Sequence, residues 1–132
     1  GVKVLVENTA GGKNSVARYM DSIERLWEVI GHLNVGLCLD TCHTWAGGIP
    51  TIEAIKGFKK LVKKIDLIHF NDSKDGFESS RDRHENLGKG KIPKEELEYV
   101  IKNAKTDIIV ETPNGADAQK KDIAWIRRRL NK

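Results

Sequence analysis

The feature of this sequence that most constrains its fold is a recurring alternation of two patterns. Four short apolar runs, Val2–Val6, Val35–Leu39, Ile65–Phe70 and Asp107–Val110, are rich in β-branched residues and nearly continuous. A strand with one face in water alternates apolar and polar residues, so continuous runs predict strands covered on both faces, as in a parallel sheet. Amphipathic helix patterns lie between and after them. Ser15–Ile30 sets Val16, Tyr19, Met20, Ile23, Leu26, Trp27 and Ile30 at helical spacing, with Asn14 or Ser15 to cap its start and Gly31 its end. A second helix opens at Thr51, after Pro50, and gathers Ile52, Ile55, Phe58, Leu61 and Val62 on one side. Pro93–Asn103 and Asp117–Leu130 supply two more.

Strand starts near positions 3, 35, 65 and 107 give steps of 32, 30 and 42 residues. A βα unit occupies roughly 30 residues, so this order predicts an α/β fold of about four parallel βα units. The longest step contains Asn71–Ile92, a polar, glycine-rich loop of the kind that is either functional or disordered. A chain of 132 residues with 39% hydrophobic content is expected to form one domain around a core. No apolar run approaches the ~18 residues of a membrane span. Gly1–Glu7 lacks the regions of a signal peptide. The sole methionine is Met20, so the sequence reads as a processed chain or a piece of a longer one.

Net charge is +4, from 23 basic and 19 acidic residues, which permits a polyanionic partner without demanding one. Two cysteines, Cys38 and Cys42, are too few for the disulfide framework of a secreted domain. They are expected to be free thiols in a reducing compartment, which places the protein in the cytoplasm.

Chemistry gathers where the apolar runs stop. The first ends at Glu7 and the second at Asp40, with His43 three residues on. The third carries His69, and the fourth ends at Glu111. In parallel α/β folds sites form at the carboxyl ends of the strands, so Glu7, Asp40, His69 and Glu111 should share one rim. A single acidic residue after a strand is ordinarily a cap or loop contact; the coincidence at all four strands is what points to metal ligation. Asp82 and His84 lie two apart in the long loop, a spacing that puts both on one face of an extended segment. Mixed carboxylate and imidazole donors suit Zn²⁺, Mn²⁺ or Fe²⁺. Arg81, Arg83, Lys74 and Lys89 accompany the ligands on that loop, as phosphate contacts or as solvated charges. Trp45 could stack on a base or sugar, or pack against the rim.

Five segments in order, Glu7-Asn8-Thr9-Ala10-Gly11, Leu39-Asp40-Thr41-Cys42-His43, Ile68–Lys74, Asp82–Gly90 and Val110-Glu111-Thr112-Pro113, resemble the endonuclease IV family. The resemblance implies the C-terminal half of a TIM (β/α)8 barrel. It also implies zinc-dependent hydrolysis of the phosphodiester 5′ to an abasic site in double-stranded DNA. Family members use three zinc ions. By this resemblance Glu7 bridges two of them and Asp40, His69 and Glu111 complete one of those. His43, Asp82 and His84 hold the third, and Glu7 and Glu111 stand closest to the reaction. The remaining zinc is held in the family mainly by two histidines of the N-terminal half, which nothing here matches, so that position is incomplete. A missing N-terminal half or self-association is expected to close the barrel. Two alternatives stand beside this reading: a metal-dependent sugar isomerase or epimerase of the xylose-isomerase-like group, and a half-barrel that binds metal or DNA without turnover. The set His43, Asp82 and His84 is what a sugar isomerase would not need.

Overall fold

The computed structural model describes residues 1–131. The chain runs β1 (Val4–Glu7), α1 (Met20–Ile30), β2 (Val35–Asp40), α2 (Thr41–Gly47), α3 (Thr51–Leu61), β3 (Leu67–His69), β4 (Asp72–Ser73), β5 (His84–Glu85), α4 (Lys94–Ala104), β6 (Asp107–Ile109) and α5 (Gly115–Leu130). Strands β1, β2, β3 and β6 form one sheet in that spatial order, with every pairing parallel. The expected four βα units are present, and order in space follows order in sequence. The sheet leaves β1 and β6 paired on one side only.

Side chains alternate across a strand, and here the two faces do different work. Leu37, Leu39 and Ile68 point to the helices and join Ile23, Trp27, Phe58, Leu97 and Val100 in one buried cluster. Cys38, Asp40 and His69 point to the other face. The register sets Asp40 level with His69, and Glu7 level with Cys38 two residues earlier on β2, so the polar strand ends gather at one end of the sheet. Past β6, Ile109, Ile123, Ile126 and Leu130 help line an apolar groove of about 590 Å³ between the last strand and α5. Among the described residues no helix is long and apolar enough to cross a membrane.

Three local expectations change. Helix α1 starts at Met20, not Ser15, and its N-cap is Tyr19 without a side-chain cap. The preceding segment is drawn to the sheet instead: the Thr9 N–H donates to the Ala17 carbonyl at 2.9 Å, and buried Arg18 donates to the Gly47 carbonyl at 3.1 Å. A regular helix from Ser15 could not satisfy both. A short helix, α2, follows β2 directly. Asp40 caps it by accepting the His43 N–H at 3.0 Å, and Gly48 ends it at a left-handed φ of 96°. Finally, the loop Asn71–Ile92 has structure of its own, for β4 and β5 pair antiparallel.

That loop is organised by Asp72, which is fully buried. Its Oδ1 accepts the N–H groups of Ser73 (2.8 Å) and Ile92 (3.1 Å), and its Oδ2 those of Gly88 (3.0 Å) and Gly90 (3.1 Å). A Cβ on Gly90 would lie 2.3 Å from Asp72 Oδ1, so the close approach requires glycine.

Candidate metal centre

Glu7 closes β1, Asp40 closes β2, His69 closes β3, and Glu111 follows β6 by two residues. One donor atom from each lies within 4.8 Å of all the others. His69 Nδ1 is 3.1 Å from Glu7 Oε1, 3.2 Å from Glu111 Oε2 and 4.0 Å from Asp40 Oδ2. A second group joins His43, Asp82 and His84 under the same limit. Asp82 presents Oδ2 to His43 Nε2 and Oδ1 to His84 Nε2, each at 3.1 Å. Asp40 lies between the groups, its Oδ2 being 3.8 Å from His43 Nε2 and 3.6 Å from His84 Nε2. All seven residues singled out as ligand candidates therefore meet on one rim, in two adjoining clusters.

The imidazoles of the second group are held in one orientation. His43 Nδ1 lies 2.7 Å from the Asn8 carbonyl, and His84 Nδ1 lies 3.0 Å from the Glu111 carbonyl. A carbonyl only accepts, so each Nδ1 carries a proton and each ring aims Nε2 at Asp82; in the neutral form of the ring that nitrogen offers a lone pair. Both Nε2 atoms are buried without a hydrogen-bond partner. Two lone pairs facing one carboxylate repel unless a proton or a cation lies between them. Histidines that bind metals are oriented in this way, through a main-chain or carboxylate acceptor on the opposite nitrogen. The donor set fits a divalent cation.

Two asparagines brace the rim, neither of them a residue that sequence reasoning singles out. Asn8 Oδ1 accepts the Asp40 N–H at 2.8 Å, and Asn8 Nδ2 donates to the Asp40 carbonyl at 3.2 Å. Asn71 donates from Nδ2 to Asp40 Oδ2 at 3.1 Å and accepts the Glu111 N–H at Oδ1 at 2.8 Å. Asn71 is in turn fixed by Thr41, whose hydroxyl accepts its N–H at 2.8 Å. Asn8 follows Glu7 directly and Asn71 follows His69 by two residues, and that adjacency to strand-end ligands was the available signal.

Burial raises the Asp40 carboxyl above its ordinary range, although His43 and His84 pull it down. For His43, burial opposes the charged form, but Asp40, the Asn8 carbonyl, Asp82 and Glu7 outweigh it and raise the pKa. Both thiols are free and buried. The Cys38 thiol is pushed up to about 12, first by burial and then by Glu7 and Asp40. Cys42, also raised to about 12 chiefly by burial, donates to the Arg83 carbonyl at 3.7 Å.

Residues 1–129 match the model of the xylose isomerase-like TIM barrel family. The chain belongs to that family. Within it, the chain is 47% identical over 130 residues to the "Probable endonuclease 4" of Mycobacterium ulcerans, covering 98% of this chain and 51% of that protein. The chain thus spans about half the length of the curated relatives it matches. Among solved structures, endonuclease IV from Thermus thermophilus superimposes with a TM-score of 0.78 at 31% identity, over 96% of this chain and 49% of that one. A D-tagatose 3-epimerase-like protein aligns with a TM-score of 0.71 at 19% identity, over 99% of this chain and 48% of that one, a likeness of fold alone. Four parallel βα units matching half the length of such barrels make this chain a half barrel of the xylose isomerase-like family.

The residues considered for nucleic-acid contact differ in how the half barrel holds them. Arg83 is engaged by Asp75 through two bonds, at 2.8 and 2.5 Å, and Arg81 lies 4.0 Å from the same carboxylate. Trp45 donates from Nε1 to the Asp75 carbonyl at 3.0 Å and meets Phe77 edge-on at 5.0 Å, so its ring packs within the loop. Lys74 is exposed, and Lys89 lines a depression beside α5 with Lys121 and Arg128. Neither lysine has an ion pair of 4.0 Å or less among the described residues.

Proposed function

We propose that the chain is half of a zinc-dependent DNA-repair endonuclease that hydrolyses the phosphodiester 5′ to an abasic site. The observation that carries this reading is the pair of buried Nε2 atoms of His43 and His84, each 3.1 Å from an Asp82 carboxylate oxygen and neither satisfied by a hydrogen bond. A cation there relieves the repulsion, and its position beside Glu7, Asp40, His69 and Glu111 makes a centre for more than one ion. Bound there, Zn²⁺, or Mn²⁺ in its place, supplies Lewis-acid activation of water and neutralises charge on a transferring phosphoryl group.

The chain's own residues do the rest. Asp40, fully buried and braced by Asn8 and Asn71, fixes the spacing of the two clusters. Glu7 and Glu111 are the more exposed carboxylates of the first cluster and stand where a diester would approach. Lys74, Lys89 and Arg81 offer positive charge to the DNA backbone. The other half of the barrel, supplied by a partner segment or a second copy, contributes the remaining walls of the groove. Two free thiols suit a reducing cytoplasm. The names of relatives support the endonuclease reading over a sugar isomerase, and so does a second ligand cluster that sugar isomerisation does not require.

The test is cleavage of a duplex with one abasic site, in Zn²⁺, by this chain alone and by this chain mixed with the N-terminal half of a relative. The chain alone should be weak or inactive. The mixture should cleave, and Glu111→Gln should abolish cleavage. An inactive mixture, with both halves folded and metal bound, would overturn the assignment.

A further inference from the structure

Outside the ligands already described, Cys38 is a further donor beside them on the inner face of the sheet. Cys38 is paired in register with Glu7, and neighbours in register point to the same face. Its Sγ, a Glu7 carboxylate oxygen and a His69 ring nitrogen all lie within 4.8 Å of one another. A cation that drew these three atoms in to bonds of about 2.0–2.3 Å would be held by all of them. Asp40 and Glu111 complete the carboxylate-rich position at the rim, whereas Cys38 sits two residues before Asp40 on β2, one step deeper in the sheet. Cys38 is only 3% exposed and lies within a strand, so the backbone holds its sulfur in place.

We propose that Glu7, Cys38 and His69 form a second metal position, offset below the rim and selective for thiophilic ions such as Cd²⁺. The inference rests on the reading of the rim as a metal centre and adds a sulfur ligand to it. Thiolate selects soft ions, while carboxylates suit harder ones such as Mn²⁺. On binding, the Cys38 S–H bond breaks, its proton passes to solvent, and the sulfur lone pair forms the bond to the metal. No oxidation state changes. Glu7 and His69 belong to both positions, so a soft ion held by Cys38 displaces a hard ion from the rim. Cys42 also lies within 4.8 Å of Asp40 and His84, but its thiol is engaged by the Arg83 carbonyl.

The experiment is a titration of the purified chain with CdCl₂, followed by the ultraviolet sulfur-to-cadmium charge-transfer band, with Mn²⁺ binding followed in parallel by electron paramagnetic resonance. The wild type should develop the band and release Mn²⁺ as it does so. Cys38→Ala should lose the band and keep Mn²⁺; Cys42→Ala should keep both. A band that survives Cys38→Ala, or that disappears only in Cys42→Ala, overturns the proposal. X-ray absorption of the wild-type cadmium complex needs no variant and should show one sulfur neighbour; an all-oxygen and nitrogen shell overturns the proposal. Mn²⁺ binding without a sulfur signal defeats this inference alone, whereas binding of neither ion defeats the metal reading as well.

Discussion

Asn71 is the residue on which the rim most depends without itself being a ligand. It touches Asp40 with one end of its amide and the Glu111 main chain with the other. Asn71→Ala should weaken metal binding by about 10–100-fold, the usual cost of removing a group that orients a ligand. A Co²⁺ titration would measure it, and unchanged affinity would deny the bracing role. Asp66 offers a test at the opposite end of the strands. Its Oδ2 accepts the Leu37 N–H at 2.9 Å and its Oδ1 the Lys3 ammonium at 2.8 Å. Burial opposes its ionisation, yet these two partners win and hold its pKa below the ordinary carboxylate range. A depressed carboxyl adds stability that is present above its unfolded pKa of about 4 and lost as pH falls through the lower folded value. Asp66→Asn should therefore melt below the wild type at pH 7, and the gap should close under acid. A gap independent of pH would show that charge is not what Asp66 contributes.

At the scale of elements, the loop between β3 and α4 decides whether the second ligand cluster exists, because Asp82 and His84 belong to it. Four N–H groups converge on Asp72, and an amide oxygen can replace only one of its two carboxylate oxygens. Asp72→Asn should leave donors facing donors at a cost of about 2–4 kcal/mol. Faster amide exchange at Gly88, Gly90 and Ile92 would report the loss, and retained protection would argue that the loop is held otherwise. None of this was legible in the sequence, where Asp72 was one acid in a polar stretch and three of its four partners lay sixteen to twenty residues away. The strands were legible because their apolar runs are short and continuous, and their ends because each run stops at a charged or imidazole residue. Helix α1 is shorter than its periodicity predicts because Val16 and Tyr19 keep helical spacing, while the Arg18–Gly47 contact that pulls the segment aside is long-range. Helix α2 is hard to see in the sequence although Asp40 and Gly48 carry its two caps, because an acid closing an apolar strand reads equally as a ligand; Asp40 is suited to both tasks.

At the scale of the molecule, the sheet presents two open edges, with Val4 62% and Ile109 48% exposed upon them. Unpaired strand edges bordered by apolar surface favour pairing with another chain. Val4→Lys combined with Ile109→Lys should shift sedimentation toward the monomer and leave Co²⁺ binding in place; a mass distribution unaffected by both changes would show that the edges do not drive association. The spatial order of the main sheet, in which each strand lies beside the one that precedes it along the chain, has a further consequence for biogenesis. As the polypeptide leaves the ribosome, every new strand finds its partner already made. No gap must be held open for a later segment to enter, so the sheet can be laid down in the direction of translation.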